Sequence, residues 1–287
     1  MSRRLTPADD APARGRQDAA APRPPVKWAG GKGGLLASFE PLFPRQPWQL
    51  YVEPFVGGGA VFFHLQPQRA VLIDNNEELI NFYIVVRDRL DELLADLRRH
   101  ENTAAYYYRI RALDPSRLDP VERASRFLYL NKTGYNGLWR VNARGQHNVP
   151  FGRYKNPTIV DEPNLRRVSQ ALARAEIRLG DFTLAREHAG PGTFVYLDPP
   201  YHPLSSTARF TAYTKDGFTE DDQRRLAELF RELDRRGCLL MLSNSDTPLI
   251  RELYAGYDIQ VVYARRAINC RADGRGPISE LVIRNYA

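Results

Sequence analysis

The stretch VYLDPPY, residues 195–201, concentrates chemistry in few residues. An apolar run ends at the carboxylate of Asp198, and Pro199 and Pro200 then restrict the backbone and remove two N–H groups. A carboxylate, a carbonyl and the ring of Tyr201 are thereby set to face one crevice at the carboxyl edge of a sheet. These groups suit a planar base bearing an exocyclic amine: Asp198 and the Pro199 carbonyl each accept one N–H, and Tyr201 stacks on the ring. The plainer reading is a Pro-Pro turn with a capping aspartate. Upstream, YVEPFVGGGAVFF (51–63) places Glu53 at a strand end, Phe55 after it, and Gly57 to Gly59 in a tight turn before an apolar helix start. Asp74 closes the next apolar run 17 residues after Gly57. That is near the offset of about 20 residues at which an acidic side chain accepts from ribose hydroxyls. The alternative is a structural turn, with Asp74 capping the helix that follows. VKWAGGKGG (26–34) carries Trp28 and Lys32 in a glycine-rich turn that lacks the G-x-x-x-x-G-K-[ST] spacing of a phosphate loop.

Short apolar runs that alternate with helical patterns must position these groups. QLYVE (49–53), AVLID (70–74), EIRLG (176–180), TFVYL (193–197), CLLMLSN (238–244), DIQVVYA (258–264) and ELVIRNY (280–286) read as strands. Residues 76–99 read as one long amphipathic helix. Further helices are expected at 121–133, 163–175, 219–237 and 247–254. The alternation implies a three-layer α/β domain with a mostly parallel sheet. Residues 95–165 break it and are assigned to a smaller helical and β-hairpin domain, leaving 26–94 and 166–287 for the sheet domain. Residues 1–25, rich in Ala, Pro, Arg and Asp, bury too little apolar surface to order and are expected to be disordered.

The chain has 287 residues and a net charge of +7. The positive excess lies in the first 25 residues and in NKTGYNGLWRVNARGQHNVPFGRYKN (131–156), which holds five Lys or Arg, four aromatic residues and no acid. Outside these stretches acidic and basic residues balance. A basic stretch interleaved with aromatics suits a phosphate backbone and stacked bases. The two cysteines, Cys238 and Cys270, are far apart, and the five histidines show no paired ligand spacing, so no metal is expected. No apolar run reaches membrane-spanning length and no secretory leader is visible, so a cytoplasmic protein without membrane contact is expected.

Taken in order, KWAGGK, EPFVGGG, IDNNEELI, GYNGLWRVNARGQHNVPFGRYK, DPPY, FTAYTKDGF and LSNSDTPLI resemble the Dam-type DNA adenine N6-methyltransferases. In that group the cofactor motif precedes the target-recognition region, and DPPY follows it. The resemblance runs from about Val26 to Tyr286. It implies a Rossmann-like methyltransferase sheet with S-adenosylmethionine as donor. Trp28, Lys32, Asp74 and Asp198 are the implied cofactor contacts, with Glu53, Phe55 and Gly57 around the methionine and sugar, and Asp181 with Phe182 at the adenine end. Asp198, Pro199, Pro200 and Tyr201 form the implied catalytic set, acting on an adenine flipped out of the duplex. The basic stretch becomes a hairpin in the DNA major groove. There Arg140 pairs with guanine, Tyr135 and Asn136 enter the space left by the base, and Leu138 and Pro150 touch thymine methyls. Arg153, Lys155 and Lys132 meet phosphates, whereas Arg144 reads as a solvated charge and Trp139 as a residue that shifts flanking preference. The implied partner is double-stranded DNA at 5′-GATC-3′, methylated by a monomer associated with the nucleoid. Two other readings keep parts of the pattern: a methyltransferase for another planar amine or amide, and a silent DNA-binding module. Asp198, where amide-modifying relatives carry Asn, opposes the first, and the intact DPPY opposes the second.

Overall fold

A computed structural model describes residues 21–204, 217–264 and 278–287. The expected disorder of residues 1–20 and parts of FTAYTKDGF lie outside the described residues, as does Cys270. Seven strands form one sheet: β1 (Leu50–Glu53), β2 (Ala70–Asp74), β3 (Ala175–Leu179), β4 (Thr193–Leu197), β5 (Leu239–Ser245), β6 (Asp258–Ala264) and β7 (Ile278–Arg284). Their order is β3-β2-β1-β4-β5-β7-β6. The first five are parallel, and β7 enters antiparallel between β5 and β6. The five residues of β4 are all buried, which is why TFVYL reads as a continuous apolar run: both sheet faces are covered.

The helices are α1 (Leu36–Phe39), α2 (Ala60–Leu65), α3 (Glu77–Asp88), α4 (Leu90–Leu97), α5 (Ala104–Ala112), α6 (Pro120–Thr133), α7 (Glu162–Leu172), α8 (Ala185–His188), α9 (Glu220–Arg235) and α10 (Pro248–Leu253). On one face, Leu226, Phe230 and Ile250 from α9 and α10 pack with Val52, Val195 and Leu240 of the sheet. On the other, Phe82 of α3 and Phe127 of α6 join Tyr51, Phe194 and Tyr196 in one continuous core. Helices of the 95–165 region thus share the core of the sheet.

Three expectations are corrected. The helix expected over 76–99 breaks at Arg89 (φ −136°, ψ 37°), so that α3 covers the sheet while α4 turns its Leu93, Leu94 and Leu97 toward α6 and α7. Order also begins before Val26. The backbone N–H of Arg23 donates to Asn164 Oδ1 at 3.0 Å, and Asn164 Nδ2 donates to the Arg23 carbonyl at 3.0 Å. A buried side-chain amide here does what a neighbouring strand does elsewhere. Third, the basic stretch is hairpin-like but has no regular ladder. Its antiparallel pairing is limited to isolated bridges, Gly134 with Phe151 and Val141 with His147. Positive φ at Asn136 and Gly137, together with Pro150, interrupts strand geometry between them, and Arg153 has positive φ just beyond Phe151.

Candidate active site

The motif elements converge at the carboxyl edge of the sheet. There a cavity of about 490 Å³ is lined by Trp28, Lys32, Glu53, Phe55, Gly57 and Asp74, among others, with Tyr196 and Asp198 at its floor. The volume falls within the range of about 300–1,000 Å³ usual for small-molecule sites.

The glycine turn after β1 exists to bring backbone close. Gly57 has φ 47°, and a Cβ there would sit 2.7 Å from Cδ1 of the Trp28 indole. Only glycine both adopts that conformation and leaves the indole its place. The turn is tied to β2, since Gly57 N–H donates to Asp74 Oδ2 at 3.0 Å and Asn76 N–H to Asp74 Oδ1 at 2.9 Å. Tyr83 of α3 donates to the Gly57 carbonyl at 2.7 Å. Burial pushes the Asp74 carboxyl up to about 6, against the lowering effect of the backbone donors. Glu53 is 2% exposed and accepts from Tyr51 Oη at 2.9 Å, and burial drives its pKa well above the carboxylate range. Two buried carboxylates beside the apolar walls of Trp28 and Phe55 suit a ligand with hydroxyls and positive charge, because a cation or a hydroxyl donor restores what desolvation removed. S-adenosylmethionine has those groups, and the cavity residues fit it.

At the end of β4, Asp198 forms an ion pair with Lys32, Nζ to Oδ1 2.8 Å, angled outside hydrogen-bond geometry. Burial raises the Asp198 pKa to about 6, opposed by the Lys32 cation and reinforced by the charge of Glu280. The Lys32 ammonium also lies 4.7 Å from the centroid of the Tyr201 ring, and Tyr201 Oη donates to Glu280 at 2.6 Å. The rest of the loop is clamped. The Pro200 carbonyl accepts from Gln223 at 2.9 Å, His202 N–H donates to Asn244 at 3.1 Å, and Ser245 donates to the His202 carbonyl at 2.5 Å. Among the described residues no donor meets the carbonyl of Pro199. Asp198 and that carbonyl are therefore acceptors held in a rigid loop.

The basic stretch faces outward beside this cavity. Tyr135, Asn136, Arg140, Pro150, Arg153 and Lys155 are exposed, Leu138 is half-buried, and Arg144 is also exposed. Asn136, at φ 54°, lines the cavity rim, so the basic stretch reaches the cavity at the carboxyl edge of the sheet. Arg140 Nε donates to Asn148 Oδ1 at 2.8 Å, which holds the guanidinium by its inner nitrogen and leaves its two terminal nitrogens for a partner.

Three residues sit elsewhere than the sequence reading places them. Asp181 is exposed and off the cavity wall, where it accepts from Thr183 N–H at 3.0 Å and pairs with Arg225 at 3.3 Å. Phe182, beside it, stacks behind Phe55 with centroids 5.4 Å apart. Lys132 is half-buried and lines a separate cavity of about 260 Å³ with Arg23 and Asp161, apart from the exposed set. Desolvation there lowers its pKa. Trp139 is 6% exposed and packs on Phe127 at 4.5 Å and His147 at 4.6 Å, mostly a core residue whose remaining surface lines the cavity at the carboxyl edge of the sheet. Sequence reasoning missed Glu280, Asn148, Gln223 and Asn244. Glu280, Gln223 and Asn244 lie far along the chain from their partners, so no local pattern marks them, and Asn148, eight residues from Arg140, is marked by no motif either.

The strand order, the glycine turn after β1, the carboxylate closing β2 and the DPPY loop after β4 together define a Rossmann-like α/β methyltransferase. The chain matches the D12 class N6 adenine-specific DNA methyltransferases over residues 28–268. It is 44% identical over 272 residues to the type II methyltransferase M1.LlaDCHI of Lactococcus lactis, covering 92% of this chain and 95% of that one. It is 45% identical over 286 residues to the type II methyltransferase M.MjaIII of Methanocaldococcus jannaschii, covering 92% and 99%. With the DNA adenine methylase of Escherichia coli K12 it shares 40% identity over 261 residues, covering 90% and 93%. The chain belongs to the D12 class N6 adenine-specific DNA methyltransferase family and is an adenine-specific DNA methyltransferase. No helix among the described residues is long and apolar enough to cross a membrane.

Proposed function

We propose that this enzyme methylates N6 of adenine within 5′-GATC-3′ in duplex DNA, with S-adenosylmethionine as donor, acting as a cytoplasmic monomer on the chromosome. The observation that carries the reading is the Asp198 carboxylate at the end of β4, which lines a cavity whose rim holds Asn136 of the basic segment and is followed by a Pro199 carbonyl that meets no donor among the described residues. S-adenosylmethionine supplies, when bound, an electrophilic methyl group on a sulfonium. Trp28, Phe55 and Gly57 would wall it in, Asp74 would accept from its ribose, and Glu53 would face its positive charge.

The amine of adenine is a poor nucleophile because its lone pair is delocalised into the ring. Hydrogen bonds to Asp198 and to the Pro199 carbonyl draw the nitrogen toward tetrahedral geometry and free the lone pair. As the new N–C bond formed and the donor's S–CH3 bond broke, its electron pair leaving with the neutral thioether S-adenosylhomocysteine, the amine would become cationic and Asp198 would stand ready to receive its surplus proton. Lys32 keeps Asp198 ionised until then, despite burial. Tyr201, its hydroxyl anchored to Glu280, stacks on the flipped base and offsets part of the unstacking cost of a few kcal/mol. Positioning and electrostatics carry the rate.

Arg140 donates its two terminal nitrogens to guanine O6 and N7. Tyr135 and Asn136 occupy the gap in the duplex, Leu138 and Pro150 contact thymine methyls, and Arg153 and Lys155 fix register on phosphates. The test is transfer of labelled methyl to duplexes that differ only in the order of the four central bases. GATC is expected to be labelled at least about tenfold faster than a scrambled site. Equal labelling of the two would refute the target assignment while leaving adenine methylation intact.

A further inference from the structure

The geometry points to Asn131 as the positioning residue that couples cofactor occupancy to recognition of the target sequence. The inference rests on the reading of the basic segment as the part that recognises DNA. Asn131 lies on α6, is fully buried, and touches neither the cavity nor the exposed face. All of its hydrogen-bonding capacity on the amide nitrogen is spent across a joint. Its Oδ1 accepts from Lys27 N–H at 2.9 Å, while its Nδ2 donates to the Lys27 carbonyl at 2.8 Å and to the Gly137 carbonyl at 2.9 Å.

Lys27 immediately precedes Trp28, the indole that packs against the Gly57 turn and walls the cofactor cavity. Gly137 immediately follows Asn136, which lines the rim, and leads into Leu138, Trp139 and Arg140. One side-chain amide therefore holds the backbone of the cofactor wall and the backbone of the reading turn at once.

The same joint is close-packed from outside the amide. Gly137 has φ 66°, and a Cβ there would collide with the Lys27 side chain, its Cβ at 2.9 Å and its Cδ closer. Beneath, Phe127 of α6 sits between Trp28 (centroids 6.3 Å) and Trp139 (4.5 Å), so the cofactor-side and reading-side indoles rest on one ring. Any ligand that fixes the Trp28 segment thereby restricts Gly137 and the turn that aims Arg140. Linkage makes the converse hold: DNA that fixes the turn favours the cofactor-competent wall.

Asn131→Asp is the informative substitution. It preserves shape and the acceptor, but it removes both donors and sets a carboxylate against two carbonyls. Gly137→Ala perturbs the joint from the other side through φ and the Lys27 contact, and does not touch Asn131. Either variant decides the matter, with circular dichroism reporting its fold. The affinity of a GATC duplex is measured by fluorescence anisotropy with and without saturating S-adenosylhomocysteine, which binds without transferring a methyl. In the full-length wild-type protein the ratio is expected to be at least about fivefold. The variants are expected to bring it toward one by lowering the affinity measured with S-adenosylhomocysteine while the cofactor-free affinity changes little. A merely structural role would weaken both affinities and leave the ratio intact, and a folded variant that keeps the wild-type ratio overturns the inference. So does a wild-type ratio of one. If wild type fails to prefer GATC over a scrambled duplex, the target assignment fails instead, and the ratio on that duplex still decides the role of Asn131.

Discussion

The cleft sets a buried, carboxylate-bearing wall, the proposed catalytic side, against the exposed basic segment, the proposed reading side, and the two meet at Asn136. Around Gly57, Asp74 and Asp198 the chain is buried, its carboxylates are desolvated, and backbone donors or Lys32 hold each in place before any ligand arrives. From Tyr135 to Lys155 the side chains proposed to meet DNA are exposed, apart from half-buried Leu138, and pairing is reduced to single bridges and the Arg140–Asn148 bond. The contrast follows from what each side must do. Charge developing on a reacting amine is best met by dipoles that need no reorganisation. A duplex must instead be approached, wrapped and released, and its phosphates and base edges complete a surface left open to water.

If the contrast holds, damage to the catalytic side abolishes turnover with little effect on DNA affinity. Asp198→Ala should lower the methyl-transfer rate by about 10²–10³-fold or more, while anisotropy with GATC duplex shows near-wild-type binding. A parallel loss of DNA affinity would erase the distinction. Transfer should also fall as pH drops through about 6, because protonated Asp198 donates where it must accept. Lys32→Met removes the cation that lowers this pKa, so the acid limb of the kcat profile should move to higher pH, and an unmoved limb would detach Lys32 from Asp198.

Gly57→Ala should weaken binding of S-adenosylhomocysteine by roughly tenfold or more, from left-handed strain of about 1–2 kcal/mol and the collision with Trp28. DNA binding without cofactor should stay unchanged, and calorimetry with each ligand checks both halves. On the reading side, Arg140→Ala should cost about 1–3 kcal/mol of discrimination at guanine. Cofactor affinity should be untouched, and unchanged base preference in competition assays would move guanine reading to another residue. The smallest effect belongs to Arg153→Ala and Lys155→Ala. Each should weaken all duplexes alike and reduce the slope of log affinity against log salt by about 1, measured by salt titration.

Most of the cavity wall was legible in the sequence because its parts are local. A strand end, a glycine turn and a carboxylate at fixed spacing specify one another over a few residues, and the strands that carry them are short apolar runs between turns. The failures were all non-local. Asp181 has the same short motif whether it faces a ligand or caps a turn against Arg225. Trp139 sits among exposed residues in sequence, yet Phe127 of α6 buries it. The helix over 76–99 keeps its apolar period through Arg89, and only the demand that α3 and α4 cover different surfaces breaks it.

By itself the sequence determined the chemistry of the crevice, the alternation that builds a Rossmann-like sheet, and the place where the positive charge is held, because each depends on residue type and short spacing. Only the tertiary structure decided which acceptors stay free, how Arg140 is oriented, and that one buried amide joins Lys27 to Gly137. Most of these depend on partners dozens of residues apart, such as Glu280 on Tyr201, Asn164 on Arg23 and Asn131 on Lys27, which only packing of the finished core brings within hydrogen-bond reach, while Arg140 depends on how the chain folds back to Asn148.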